Sequence, residues 1–421
     1  MAVAVATFLV VLAVVASERV HRTKIALLGA AIVVLFVGDF SQEAAIESID
    51  FNTIGLLAGM MILVYLTQQS GVYDWIAIRA GQISGGRSLG VVVALAGTTA
   101  VLSAFLDNLT TILLIVPVTF LLADALDIDP IPLIVIEVIA SNIGGTATLI
   151  GDPPNIIIAG ATDLSFNSFI VNLAPIALLT FLVTTALLYL WYRPRLQVEE
   201  KNRRFVMDLD AAASIRDRDE LKRTVPVLVV TILAFFAHQA LHVEPATVAL
   251  TGAAVGLMVT KISLEDALAK IEWPTLFFFV ALFVMVGALE ETGAIGEVAT
   301  AVEDLTGGDR TAELMGTLWI GAIGSAIVDN IPFTTAMIPV VEQLQGESMD
   351  DAYWWALSLG ACFGGNATII AAGANVAASG LAQRAGQPIG FVAFLKVGVP
   401  VTVVSILMAS AYVLVRYVAL N

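Results

Sequence analysis

The sequence predicts an all-α polytopic membrane protein of two inverted repeats. Each repeat has about five transmembrane helices, a re-entrant hairpin and one broken helix. Three observations predict this: composition, an internal repeat, and the way basic residues alternate between loops. Of the 421 residues, 58% are hydrophobic and 13% charged, and mean hydropathy is +0.92. A soluble domain is about 25% charged. Lipid offers the backbone no water, so such a chain crosses the bilayer as helices that satisfy their own hydrogen bonds.

Residues 2–17 form the first apolar run. No basic residue precedes it, whereas Arg19, Arg22 and Lys24 follow it, so it reads as a retained helix and not as a secretory signal. Apolar runs follow at 25–38 and 52–69. Residues 88–106 and 109–123 read as the two arms of a hairpin with Asp107-Asn108 at its tip. The runs 131–143 and 153–160 flank a polar interruption, where Gly144-Gly145 and Pro153-Pro154 forbid a continuous helix. The run 168–192 closes the N-terminal repeat, residues 1–193. Residues 194–223 form a basic, cytoplasmic linker with Arg195, Lys201, Arg203, Arg204, Arg216 and Arg218. The C-terminal repeat, 224–421, resumes at 225–240, 245–260, 274–290, 312–328, 331–345, 352–364, 368–382 and 391–417.

The halves match in order. Ser103-Ala104-x-x-Asp107-Asn108 aligns with Ser325-Ala326-x-x-Asp329-Asn330, and Pro117 with Pro339, at a shift of 222 residues. The stretch from Asp50 to Gly71 aligns with Glu272 to Gly293 at the same shift. Gly144-Gly145-x-Ala147-Thr148 aligns with Gly364-Gly365-x-Ala367-Thr368, and Asn155 with Asn375, at a shift of 220. With the hairpins re-entrant, each half has five crossings, and an odd count inverts the second half. Loops 18–24, 70–88, 193–223, 260–273 and 383–390 then share one face and carry nearly all the basic residues of the loops. Loops 39–51, 161–167, 291–311 and 345–351 carry only Arg310. Basic loops stay cytoplasmic. The acidic loop 123–130 falls on the same side. Both termini are expected outside, in the plasma (inner) membrane.

Several chemistries are disfavoured. The single cysteine, Cys362, leaves no intrachain disulfide or multi-cysteine metal site. Three histidines support no zinc or haem cluster. A net charge of −16 without a basic stripe does not suit nucleic acid. No cofactor is expected beyond a coupling ion, Na⁺ or H⁺.

Polar groups at membrane depth face protein or an aqueous site. Two hairpin tips and two broken helices can converge near the midplane, as in inverted-repeat transporters. The candidate binding residues are Asp107, Asn108, Thr110, Thr111, Asn142, Gly144, Gly145, Thr146, Thr148, Asp152 and Asn155, with Asp329, Asn330, Thr334, Thr335, Gly364, Gly365, Asn366, Thr368 and Asn375 from the second half. Asp107, Asn108, Asn142, Asp329 and Asn330 are the candidate Na⁺ ligands. Each aspartate also reads as a helix N-cap, and the asparagines and threonines as interhelical packing and caps. Asp152 has Ala372 as its repeat partner, so any role is asymmetric. Glu137 is a further membrane carboxylate. His238 and Glu244 read as interfacial, and Trp191, Trp354 and Trp355 as interface anchors. No basic residue lies deep in these core segments. Carboxylates without a counter-cation suit bound Na⁺ or H⁺ better than a dianion.

The motifs SAFLDNLTT with NIGGTATLIGDPPN, and VDNIPFTTAMIP with LGACFGGNATIIAAGAN, resemble the P-protein-like permeases. These group with arsenite-efflux permeases and D-type sodium/proton antiporters in the ion transporter superfamily. The resemblance covers nearly the whole chain. It implies a scaffold domain and a moving transport domain, each drawn from both repeats, and a homodimer formed through the scaffold. Dicarboxylate carriers of the superfamily carry Ser-Asn-Thr motifs at the tips, whereas the tips here are Asp-Asn. The expected function is elevator-type exchange of Na⁺ or a similar cation for H⁺. Arsenite or antimonite efflux and sodium-coupled dicarboxylate or other anion transport are the alternatives. An intramembrane aspartyl protease is disfavoured: the two Asp-Asn tips are repeat-related, and the chain reads LIGD at Asp152 where such enzymes carry GxGD.

Overall fold

A computed structural model describes every residue but 18, 347–349 and 421, and every side chain of those but Leu305. Parts of the expected loops 18–24 and 345–351 therefore lie outside the described residues. The first repeat runs α1 (Ala2–Ala16), α2 (Arg22–Phe36), α3 (Gln42–Glu47), α4 (Phe51–Gln68), α5 (Val72–Ile83), α6 (Ser88–Phe105), α7 (Asn108–Leu126), α8 (Pro130–Gly145), α9 (Pro153–Gly160) and α10 (Phe166–Tyr192). In the linker lies α11 (Glu200–Asp208). The second repeat follows it element for element: α12 (Arg218–Ala237), α13 (Pro245–Val259), α14 (Leu264–Ala269), α15 (Trp273–Glu291), α16 (Ala294–Thr306), α17 (Arg310–Ile327), α18 (Asn330–Gln345), α19 (Ala352–Gly364), α20 (Gly373–Arg384) and α21 (Phe391–Val413). Six helices among the described residues are long and apolar enough to cross a membrane.

The repeats interlock reciprocally. Helix α4 packs on α13 as α15 packs on α2, and α7 packs on α20 as α18 packs on α9. The main cross-repeat contacts come in such matched pairs, as a pseudo-two-fold axis relating the repeats requires. Small residues let the helices close up, as is usual where lipid removes the hydrophobic drive between them. A Cβ on Gly59 of α4 would lie 2.7 Å from the Ala249 carbonyl carbon of α13. Gly59→Val is therefore expected to cost about 1–3 kcal/mol through overpacking. Thermal unfolding of detergent-purified protein checks this; an unshifted midpoint would mean that the crossing yields freely.

The stretches 70–88 and 291–311, expected as loops, contain α5 and α16. Each helix starts at a left-handed glycine, Gly71 (φ 83°) and Gly293 (φ 75°), which allows the sharp reversal after the preceding helix. Helix α5 buries Tyr73, Ala77, Ile78 and Gly81 along one face, and polar residues between them obscure that period. The run expected at 368–382 is interrupted, because α20 begins only at Gly373. Trp354 and Trp355 are not interface anchors but buried core residues. Trp355 meets Phe169 edge-on at 5.1 Å between ring centroids. Trp191 is exposed, at 63% of its surface.

The linker is folded onto the first repeat. Asn202 Nδ2 donates to the Leu126 carbonyl (3.1 Å), Gln82 Nε2 to that of Leu209 (2.6 Å), and the Arg216 amide to that of Ser70 (2.9 Å). Arg195 pairs with Asp129 beside the first hairpin.

Candidate functional site

Helices α6 and α7 form one hairpin and α17 and α18 the other. Their tips meet two breaks, residues 146–152 after α8 and 365–372 after α19. The same bonds tie tip to break in both halves. Ser103 Oγ donates to the Ser141 carbonyl and Ser325 Oγ to that of Ala361, each at 2.7 Å. Thr148 donates to the Ala104 carbonyl, and Thr368 Oγ1 to that of Ala326 at 3.0 Å. Asn155 Nδ2 holds the carbonyls of Thr146 (3.1 Å) and Thr148 (2.8 Å); Asn375 Nδ2 holds those of Gly365 and Thr368, both at 2.7 Å. The Asn155 and Asn375 amides thereby satisfy carbonyls at the two breaks. Gly144 and Gly364 let the broken helices approach the hairpins, since a Cβ there would lie 2.6 Å from Ala100 Cα and 2.8 Å from Ala322 Cα. Thr146, Thr334 and Thr335 bond back to carbonyls four residues earlier. Thr110 bonds to Asp107, and Thr111 Oγ1 is buried without a partner among the described residues.

Two polar nodes occupy the centre. Asn142 Nδ2 donates across the repeats to Asn366 Oδ1 (3.1 Å) and Asn375 Oδ1 (2.9 Å), while its Oδ1 accepts from Asn108 Nδ2 (3.1 Å). Asp152 Oδ1 accepts from both hairpin tips, from Asn108 Nδ2 and Asn330 Nδ2, each at 3.1 Å. Asp152 is fully buried; no donor reaches hydrogen-bond geometry at its Oδ2 among the described residues, and the Cys362 thiol lies beside the carboxyl. The donors to Oδ1 are neutral amides, so the carboxyl has no basic partner there.

Asp107 and Asp329 lie outside these nodes. Both cap their helices: Asp107 accepts from the Thr110 amide (2.8 Å), and Asp329 from that of Ile331 (2.9 Å). The five expected Na⁺ ligands are thus divided. The three asparagines gather with Asp152, and the two aspartates stand at the tips. No group of three or more His, Cys, Asp or Glu is placed to hold a metal among the described residues. The expectation of carboxylates without a counter-cation fails at Asp329, whose Oδ2 lies 3.2 Å from Arg22 Nη1. That arginine starts α2, and 307 residues separate the pair, so no local pattern announces it. Sequence reasoning also misses Ser358; its Oγ donates to Asn155 Oδ1 at 2.6 Å and joins α19 to α9.

Glu137 is buried apart from this network, with Oε1 accepting from Thr119 Oγ1 at 2.6 Å. His238, at the C-terminal end of α12, is buried. Its Nε2 accepts from the Phe166 amide at 3.1 Å, and its Nδ1 lies 3.1 Å from the Val243 carbonyl. Glu244 accepts from Asn52 Nδ2 at the surface.

The family model described as citrate transporter matches residues 12–360. The chain belongs to the citrate transporter family. This family member is 43% identical over 429 residues to an uncharacterized transporter of Mycobacterium bovis, covering 99% of each chain. It is 33% identical over 496 residues to the P protein of Homo sapiens, covering 98% of this chain and 59% of that one, which bears out the P-protein-like resemblance. The Alcanivorax borkumensis YdaH transporter, whose crystal structure reveals an unusual topology, shares the fold. Its TM-score is 0.58 at 16% identity, covering 88% of this chain and 86% of that one. The chain is accordingly a membrane transporter.

Proposed function

We propose that this citrate transporter family member exchanges Na⁺ or a similar cation for H⁺ by an elevator mechanism. Asp152 is the coupling carboxylate. In this reading α1–α4 and α12–α15 form the scaffold, and the hairpins with the broken helices form the moving domain. One observation carries the proposal: Asp152 is fully buried, its Oδ1 is held by amides from both repeats, and its Oδ2 is unpartnered among the described residues. An ionised carboxylate removed from water without a counter-charge costs several kcal/mol. A proton or a small cation on Oδ2 removes that cost, and the two compete for one group. A citrate trianion would instead be repelled by an ionised Asp152 and would have to be held by helix N-termini or by cationic side chains. Arg22 is the one basic side chain, among the described residues, bonded to this set of carboxylates and asparagines, and it is already paired.

Proteoliposomes with an internal pH dye test the proposal. A sodium gradient is expected to drive proton flux. Absence of flux with every alkali cation sinks the cation reading, and citrate-driven flux would replace it with an anion one.

A further inference from the structure

We infer that Arg22 is a tethered counter-ion: it latches the second hairpin tip to the start of α2, and loading of the transported cation at Asp152 loosens that tie before the tip moves. This rests on the exchange reading above. The two oxygens of Asp329 have separate tasks. Oδ1 caps α18 through the Ile331 amide (2.9 Å), and Oδ2 pairs with Arg22 (3.2 Å). The guanidinium also lies over the Phe278 ring of α15, 5.2 Å from its centroid, so its position is fixed from the scaffold side.

The pair borders a cavity of about 450 Å³ between the two groups of helices. Val15 and His21 line one wall, and Val328, Gly373 and Ala377 the other. The Arg22 side chain is 25% exposed and that of Asp329 7%, so solvent reaches the pair from the arginine side. That face is the one that the basic loops assign to the cytoplasm.

The latch has no mirror image. Both oxygens of Asp107, the repeat partner of Asp329, are taken by its own Thr110. Helix α13, the counterpart of α2, starts with Pro245 and offers no cation there. When the moving domain crosses to the other face, the tip charges meet no equivalent of Arg22. The pair therefore opposes departure from the arrangement seen here and favours none on the far side. A cation loaded at Asp152 repels Arg22 and screens Asp329, because the two carboxylates lie close enough to interact, so loading loosens the latch.

Two measurements test this. In sodium-driven flux, Arg22→Gln removes the competing charge and is expected to raise apparent sodium affinity about 1.5- to 5-fold, the range for a partly exposed ion pair. Arg22→Lys is expected to stay near the unaltered protein. In a protein that already carries Asp329→Asn, adding Arg22→Gln is expected to change nothing further. The second readout needs no transport. Val15→Cys with Ala377→Cys places thiols on opposite walls of the cavity, and the native Cys362 is fully buried. A bifunctional thiol reagent is expected to link the pair readily without sodium, more slowly with it, and slowly in either condition once Arg22→Gln is added. Unchanged affinity and unchanged linking in Arg22→Gln overturn the latch. Slowed linking in a protein that moves no alkali cation keeps the latch and discards the exchange reading.

Discussion

Replacing Asp152 with Asn is expected to reduce cation–proton exchange by about 100-fold or more while the protein still folds. The substitution keeps the shape and keeps an oxygen to accept from Asn108 and Asn330. It removes only the group that can lose a proton or hold a cation. Losing the buried charge partner of a bound cation costs about 3 kcal/mol or more, and each ~1.4 kcal/mol is a factor of ten. Flux in proteoliposomes gives the loss, and size-exclusion profiles show that folding survives. Wild-type exchange in Asp152→Asn would move the coupling group elsewhere, with Glu137 the next buried carboxylate to test.

The second large effect concerns stability. Asn142→Ala is expected to lower the thermal midpoint by roughly 5–10 °C, because it removes three buried hydrogen bonds at once and leaves three amide groups short of a partner. Two of those bonds join the repeats, so the loss loosens the two halves from each other at their centre. Asn330→Ala serves as the contrast. The bond its side chain makes is to Asp152, so its midpoint should fall by much less while exchange suffers. Thermal unfolding followed by fluorescence separates the two; equal shifts would show that Asn142 has no special part in holding the halves together.

Much of this arrangement is legible in the chain because the chain says it twice. A duplicated Asp-Asn between apolar arms, and a duplicated Gly-Gly before a polar gap, mark hairpins and breaks without any structure. The pairing of α1 through α10 with α12 through α21 follows from the same shifts. Side-chain duty is less legible. Asn155 and Asn375 read both as candidate ligands and as packing or capping groups, and their amides hold the carbonyls at the breaks. The same composition serves a ligand and a backbone brace, and only geometry tells them apart. Arg22 escapes for another reason: a basic residue beside a helix start reads as a loop charge, and its partner lies 307 residues away. Trp354 and Trp355 read as anchors because tryptophan favours interfaces, but burial in the core, with Trp355 against Phe169, overrides that tendency.

One small difference between the halves has a historical consequence. Asp152 precedes α9, and the matching residue before α20 is the buried Ala372. An ancestor assembled from two identical half-length chains would have carried the same residue at both places. Two acids would then have shared a buried centre, each raising the cost of ionising its neighbour, or two methyl groups would have left no acid at all. Fusion into a single gene lifts that constraint. One copy can keep the acid while the other keeps the methyl, and an odd number of charges becomes available to a fold whose architecture counts in twos.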